Sequence, residues 1–425
     1  MSINKYYSTM IEIGQLKNGI RVVCDYMKDV ETTTVEIFVN TGSRNENKKN
    51  NGISHFIEHM AFKGTENRNA KQIACDFEKI GASFNAYTSV ETTAYYSKQL
   101  KEYTEKAIEI LIDMIDNSTF SEEELEKERG VILQELAMTE DTPDEIIYDY
   151  YKQTAFSNQP YGRSILGPAE NIKNFKKQDF LDYIDENYTA DNIVLSVAGN
   201  ITLDKVIDFA NRYFKDRKQK RDAKIEDAKY TSGYFKKEKD LEQVQCIIGF
   251  KGISYNNKDK YKLSVMNHIL GSSMSSRLFQ EIRENKGLCY TIYSYNQFSS
   301  DIGSFEIYTG VEPININKTI DAIIEELKKA TKSIQKDELE RAKIKLKSSI
   351  LMGLESTSNR ASSNGGDLLK YNKVIKEKEI IDDISSTSIE DVENILKQII
   401  SGTPTVALYG KLSSVYDYEV IKGKF

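Results

Sequence analysis

Four landmarks recur in one order along the 425-residue chain, each about 210 residues after its first appearance. VEIFVNTG, ending at Gly42, resembles CIIGFKG, ending at Gly252. ISHFIEHM resembles KLSVMNHI and pairs His59 with His268. SEEELEKERGVILQE resembles QKDELERAKIKLKSS, pairing Glu124 with Glu338 and Glu135 with Ser349, and NIVLSVAGN and TPTVALYGK align Gly199 with Gly410. A period this long is that of a whole domain, so the chain reads as one domain plan written twice. Any two α/β-type halves share strand–glycine and acidic-helix patterns, and chance similarity is the competing explanation. Strand-like runs at 35–40, 92–99 and 193–198 mix with amphipathic helical stretches at 102–116, 121–139 and 317–332, without a regular βαβ alternation. That mixture predicts an α+β fold of two homologous domains, each a mostly antiparallel sheet packed with helices, forming a clamshell-like chamber. The expected domains are 1–215 and 230–425, joined by residues 216–229, an almost wholly charged stretch that reads as a solvated linker.

The two copies differ where reactive side chains concentrate. His55, Glu58 and His59 form the run HFIEH and use two of only three histidines in the chain. On a helix, positions i and i+4 share a face, so both imidazoles can reach one ion. Glu58 sits on the shoulder of that face, close enough to hold a water and take its proton. The order H-x-x-E-H inverts the commoner H-E-x-x-H and is a metallopeptidase signature. The second copy has Ser264, Asn267 and His268 at these places, so one half would hold the metal and the other complete the chamber. His268, with no acidic companion, reads as a structural relic.

A zinc hydrolase usually presents three protein ligands and one open place. The candidate third ligand is Glu135 in ELEKERGVILQELAM, and Glu128 lies two helical turns before it on the same face. Glutamates buried on one stripe near Val131 and Ile132 would be costly without a cation. A helix with a solvated acidic face explains the same spacing.

Composition bears on partners and compartment. A net charge of −7 argues against nucleic-acid binding and suits a cavity that receives basic peptides, although acidic solubility needs no partner. The four cysteines are widely spaced with no C-x-x-C pair, so neither a disulfide framework nor zinc ligation by sulfur is expected. The first residues lack a basic n-region, and no stretch approaches the roughly 20 apolar residues of a membrane span. A cytoplasmic, reduced protein is the expectation.

GISHFIEHMAFKGT, IGASFNAYTSVETTAYY, EKERGVILQEL and SSRLFQEIRENKGLCYTIYSY together resemble the pitrilysin-type (inverzincin) zinc peptidases, in order and over nearly the whole chain. Within that family the resemblance is to the branch of the mitochondrial processing peptidase, its beta subunit included, and its single-chain bacterial relatives. It implies one Zn2+ per chain held by His55, His59 and Glu135, with Glu58 as general base and Glu128 supporting the ligand shell. It also implies that Asn85 and Ala86 lie on an edge strand that pairs with the substrate backbone. Arg283 and Tyr290 would be a pair contributed by the second domain, Tyr290 facing the oxygen of the tetrahedral intermediate and Arg283 holding carbonyls or a carboxylate. GSSMSSRLF lacks the long glycine-rich loop of two-chain members, which implies the self-sufficient bacterial type, commonly a homodimer. The activity implied is zinc-dependent endopeptidase cleavage of short or unfolded peptides, basic presequence-like ones included. Competing readings are a packing tyrosine, a surface arginine and a turn asparagine at the last three positions. For the whole chain they are a catalytically silent core subunit of the same fold, or a zinc hydrolase of a non-peptide amide.

Overall fold

The computed structural model describes residues 10–221 and 225–425. The first of its two compact units carries strands β1 (Met10–Gln15), β2 (Arg21–Tyr26), β3 (Thr32–Val39), β4 (Ser83–Thr88), β5 (Thr93–Leu100) and β6 (Ile193–Gly199), in the order β1-β2-β6-β3-β5-β4. The second carries β7 (Gly233–Glu238), β8 (Val244–Lys251), β9 (Cys289–Phe298), β10 (Gly303–Val311) and β11 (Thr405–Gly410), in the order β7-β11-β8-β10-β9. Without β1, the two orders correspond strand for strand. Each sheet is antiparallel except at one pair, β2–β6 in the first and β7–β11 in the second. The sequence repeat is therefore a repeat of topology, and the α+β architecture matches the expectation.

The aligned glycines have a local cause. Gly199 and Gly410 close the equivalent strands β6 and β11 at φ 140° and 145°. A Cβ at Gly199 would stand 2.4 Å from the Thr32 carbonyl oxygen, and one at Gly410 would stand 2.9 Å from that of Gln243. Both strands are buried along their whole length, which explains why IVLSVAG and TVALYG show no alternation of polar and apolar residues.

Helices α1 (Ile53–Met60), α2 (Ala70–Lys79), α3 (Thr104–Asp116) and α4 (Glu122–Asp141) follow in the first half of the chain. One face of the first sheet packs Val35, Ile37, Leu195 and Val197 against Ile108, Leu111 and Phe56 in a continuous core. The other face is covered from far along the sequence. Helix Thr357–Tyr371 packs on β2, β3 and β6, setting Leu368 among Val23, Phe38, Ala94 and Val194. Its Arg360 pairs with buried Asp25 at 2.9 Å, and Ser362 donates to Glu36 at 2.5 Å. Reciprocally, α5 (Pro143–Ala155), from the first half, packs on β7, β8 and β11.

Each unit is thus discontinuous. The first comprises described residues up to Leu136 with Ser164–Glu226 and Leu351–Ile375; the second comprises Ala137–Arg163, Asp227–Ile350 and Lys376–Phe425. A linear division at 215–230 separates the two sets of strands but not these helices, whose apolar faces are buried by the other copy's sheet.

The charged stretch is not free in solvent, as its composition suggested. Lys215 N–H donates to Asp116 at 2.8 Å, Arg217 ion-pairs with the same buried carboxylate, and Gln219 donates to the Asn18 carbonyl at 2.9 Å. Residues 215–219 are strapped to the first unit; 222–224 lie outside the described residues. No described helix is long and apolar enough to cross a membrane, and the cysteines are free thiols.

Candidate metal centre

Helix α1 is only eight residues long, and two devices fix it. Ile53, Phe56, Ile57 and Met60 are buried, with Phe56 edge-on to Phe180 at a centroid distance of 4.9 Å. At the other end, Gly52 occupies the cap position at φ 99° and has no side chain to accept from the first turn. Buried Glu46 does so instead, accepting from Gly52 N–H at 2.8 Å and Ser54 N–H at 2.9 Å. A carboxylate there satisfies orphan donors and meets the positive end of the helix dipole. Glycine is required at the cap, since a Cβ would lie 2.6 Å from the Leu166 carbonyl oxygen.

His55 and His59, one turn apart on α1, meet Glu135 of α4. Among the described residues they form the one group of three side chains that could hold a metal ion, with donor atoms all within 4.8 Å of one another. Nε2 of His55 lies 3.8 Å, and Nε2 of His59 3.5 Å, from Oε2 of Glu135. A tetrahedral zinc site with bonds of 2.0–2.1 Å has ligand–ligand edges of about 3.4 Å, close to both separations. Glu128, 4% exposed, accepts from His59 Nδ1 at 2.9 Å and from the Lys63 ammonium at 2.6 Å. With Nδ1 engaged by Glu128, Nε2 is the ring nitrogen that His59 presents to Glu135. Val131 is exposed, so the buried stripe of α4 is Leu125, Glu128 and Ile132 rather than one that includes Val131.

The electrostatics suit a cation. Burial, reinforced by the charge on His59, pushes His55 down to about 4, leaving the neutral imidazole that a metal requires. Burial also opposes a charged His59, but Glu128, Glu135 and Glu58 outweigh it and raise its pKa. Glu128 is held below the usual carboxylate range because His59 and Lys63 overcome the effect of burial. Burial raises Glu58, and the Thr88 hydroxyl, donating to Oε2 at 2.6 Å, opposes that only in part. Two imidazoles and a carboxylate with a second carboxylate beside them fit a divalent zinc ion with an open coordination place.

The remaining sequence candidates lie on other elements. Asn85 and Ala86 lie on β4, which pairs with β5 at one edge of the first sheet; Asn85 is exposed and Ala86 buried. Arg283 and Tyr290 belong to the second unit. There the guanidinium stacks over Phe279 at 4.5 Å and over Tyr290 at 5.2 Å, beside a cavity of about 470 Å³. Tyr290 is 75% exposed. At the counterpart of the histidine helix, Asn267 donates to Ser272 and accepts from Ser294, each at 2.7 Å, so its polar position serves loop packing. Sequence reasoning misses Glu46, Lys63 and Thr88. Only Thr88 left a signal, since it stands two residues after Ala86 and strand periodicity places both on one face.

Comparison with known proteins adds likenesses in sequence and fold. Residues 21–169 match the family described as Insulinase (Peptidase family M16), and residues 174–346 match the Peptidase M16 inactive domain. An uncharacterized zinc protease of Rickettsia felis is 41% identical over 399 residues, covering 94% of this chain and 97% of that protein. The mitochondrial-processing peptidase subunit beta of Bos taurus is 33% identical over 420 residues, covering 96% and 85%. In fold, a protease from Helicobacter pylori superposes with a TM-score of 0.89 at 24% identity, over 94% of this chain and 99% of that one. A chain of Complex III2 from Candida albicans gives 0.85 at 18% identity, over 98% and 99%. The duplicated topology, the inverted zinc motif in the first copy alone and these likenesses agree: the chain belongs to the M16 peptidase family, in its processing-peptidase branch.

Proposed function

We propose that this chain is a zinc endopeptidase in which His55, His59 and Glu135 hold one zinc ion and Glu58 is the general base. The observation that carries the reading is the convergence of two imidazoles and one carboxylate, with Nε2–Oε2 separations of 3.8 and 3.5 Å and donor atoms within 4.8 Å of one another. When bound, zinc supplies Lewis-acid polarisation of the scissile carbonyl. Glu58 takes a proton from the attacking water and returns it to the leaving amine. Its burial suits this work, because a raised carboxyl pKa brings the base nearer the operating pH. An extended peptide adding to the open edge of β4, along Asn85 and Ala86, would bond through main-chain groups. Only an unfolded or short segment can offer its backbone in that way. Peptide as the substrate class is supported by the names of the relatives, zinc protease and mitochondrial-processing peptidase subunit beta.

A silent scaffold is the competing reading, since a chain of Complex III2 shares the fold. The intact donor set and its Glu128 support argue for the enzyme. The deciding experiment digests a mixed peptide pool, with and without chelator, and reads products by mass spectrometry beside the zinc content of the chain. Chelator-sensitive cleavage is expected, and Glu58→Gln should keep its zinc yet cleave nothing. Undiminished cleavage by that variant would refute the assignment of the base.

A further inference from the structure

Thr88 is the only hydrogen-bond donor to the Glu58 carboxylate among the described residues, and its hydroxyl reaches Oε2 at 2.6 Å. It is the last residue of β4, paired with Thr93 of β5. Its neighbours on the strand point in two directions. Asn85 and Tyr87 are exposed, while Phe84 and Ala86 are covered, Phe84 stacking on Phe77 at 4.1 Å. Thr88 shares the covered side, toward α1. A threonine in a strand has few χ1 choices, whereas a glutamate side chain is long and freely rotating. A hydroxyl fixed by the sheet can therefore select one orientation of a mobile carboxylate.

We propose that Thr88 is a positioning residue for the proposed base: by engaging Oε2 it sets the rotamer of Glu58 and leaves Oε1 free to face the water. The inference rests on the function proposed above and adds a link to it. The strand offered to the substrate backbone and the group that orients the base are one element, so the geometry of the base is referenced to the strand along which the peptide would lie. Strand pairing uses main-chain atoms, so loss of the hydroxyl leaves substrate binding intact. What it removes is the fraction of time Glu58 spends correctly aimed.

Thr88→Val removes the hydroxyl at nearly constant shape, and Thr88→Ser keeps it while deleting a methyl group. Full-length wild type, both variants and Glu58→Gln are compared for zinc content, for kcat and KM on one cleaved peptide, and by crystal structures of wild type and Thr88→Val. The expected result for Thr88→Val is zinc at parity, KM within about twofold, kcat lowered about 10- to 100-fold and a displaced Glu58 carboxylate. Thr88→Ser should return most of the lost kcat, because it keeps the hydrogen bond. Thr88→Val with wild-type kcat overturns the proposal. So does a change confined to KM, a loss of zinc, or a Thr88→Ser as slow as the valine variant, since each would make Thr88 a packing residue. If wild type itself shows no chelator-sensitive turnover, the peptidase reading has failed instead. An undisplaced carboxylate in the valine crystal would then count separately against the positioning role.

Discussion

Replacing Glu128 by alanine removes a carboxylate that is not a ligand in the proposed centre yet fixes one that is. Oε1 holds the Nδ1 proton of His59 at 2.9 Å and Oε2 holds Lys63 at 2.6 Å, in a position only 4% exposed. Without it the imidazole can rotate and exchange tautomers, and the half-buried ammonium of Lys63, four residues after His59, loses its partner. Partners of this kind are worth 10- to 100-fold in metal affinity, so zinc binding should weaken by about 1.4–2.7 kcal/mol. A proton effect runs the other way. Glu128 helps to raise the pKa of His59, so its removal makes the ring easier to deprotonate and returns part of the loss at neutral pH. The measurement therefore belongs at about pH 8, where His59 gives up its proton more readily in either protein. Competition with a chromophoric chelator gives Kd directly. Glu128→Gln, which retains an acceptor for Nδ1–H but not the charge, should fall near the lower limit of the range. A Kd for the alanine variant within twofold of wild type would refute the argument.

Three further outcomes are expected. Glu135→Gln should lose most of its zinc, because an uncharged amide is a poor third ligand, and wild-type zinc content by elemental analysis would exclude Glu135 from the centre. Tyr290→Phe should lower kcat on the order of 10²-fold if the hydroxyl serves the developing oxyanion; unchanged turnover rejects the role implied by the family resemblance. Glu306, buried in the second unit beside the Tyr295 and Ser304 hydroxyls, has its pKa pushed by burial from 4.5 to about 7. Between those values the folded chain keeps a proton that the unfolded chain releases, so the contribution is full below about pH 4.5 and is lost as pH rises through about 7. Glu306→Gln should flatten that fall, read as urea midpoints at about pH 5 and about pH 8; an unaltered difference between the two pH values would rule it out.

What could be read from sequence was whatever depends on spacing within one element. HFIEH is legible because a helix brings i and i+4 together, and the strand glycines are legible because they recur. Glu135 was half legible: its periodicity showed a face, but only the packing of α4 beside α1 brings its carboxylate to His55 and His59. Glu46 and Lys63 left no trace, because a cap supplied from six residues before Gly52 and a clasp on a distant carboxylate follow no period. Arg217 looked like any residue of a charged linker until its buried partner Asp116 was seen. Amphipathicity likewise tells that Pro143–Ala155 and Thr357–Tyr371 each have an apolar side, not which sheet that side will cover.

The crossed placement of those two helices imposes an order of events at birth. The sheet of the unit that carries His55, His59 and Glu135 receives its second cover only when Leu351–Ile375 has left the ribosome. At 5–20 residues per second, that is about 10–30 s after the last of its own strands has emerged. Throughout that interval Val23, Phe38, Ala94 and Val194 lack the leucine that shields them in the finished molecule. A truncated message would yield a nascent chain bearing His55, His59 and Glu135 but an unfinished scaffold, so the first unit is completed only when translation is almost over.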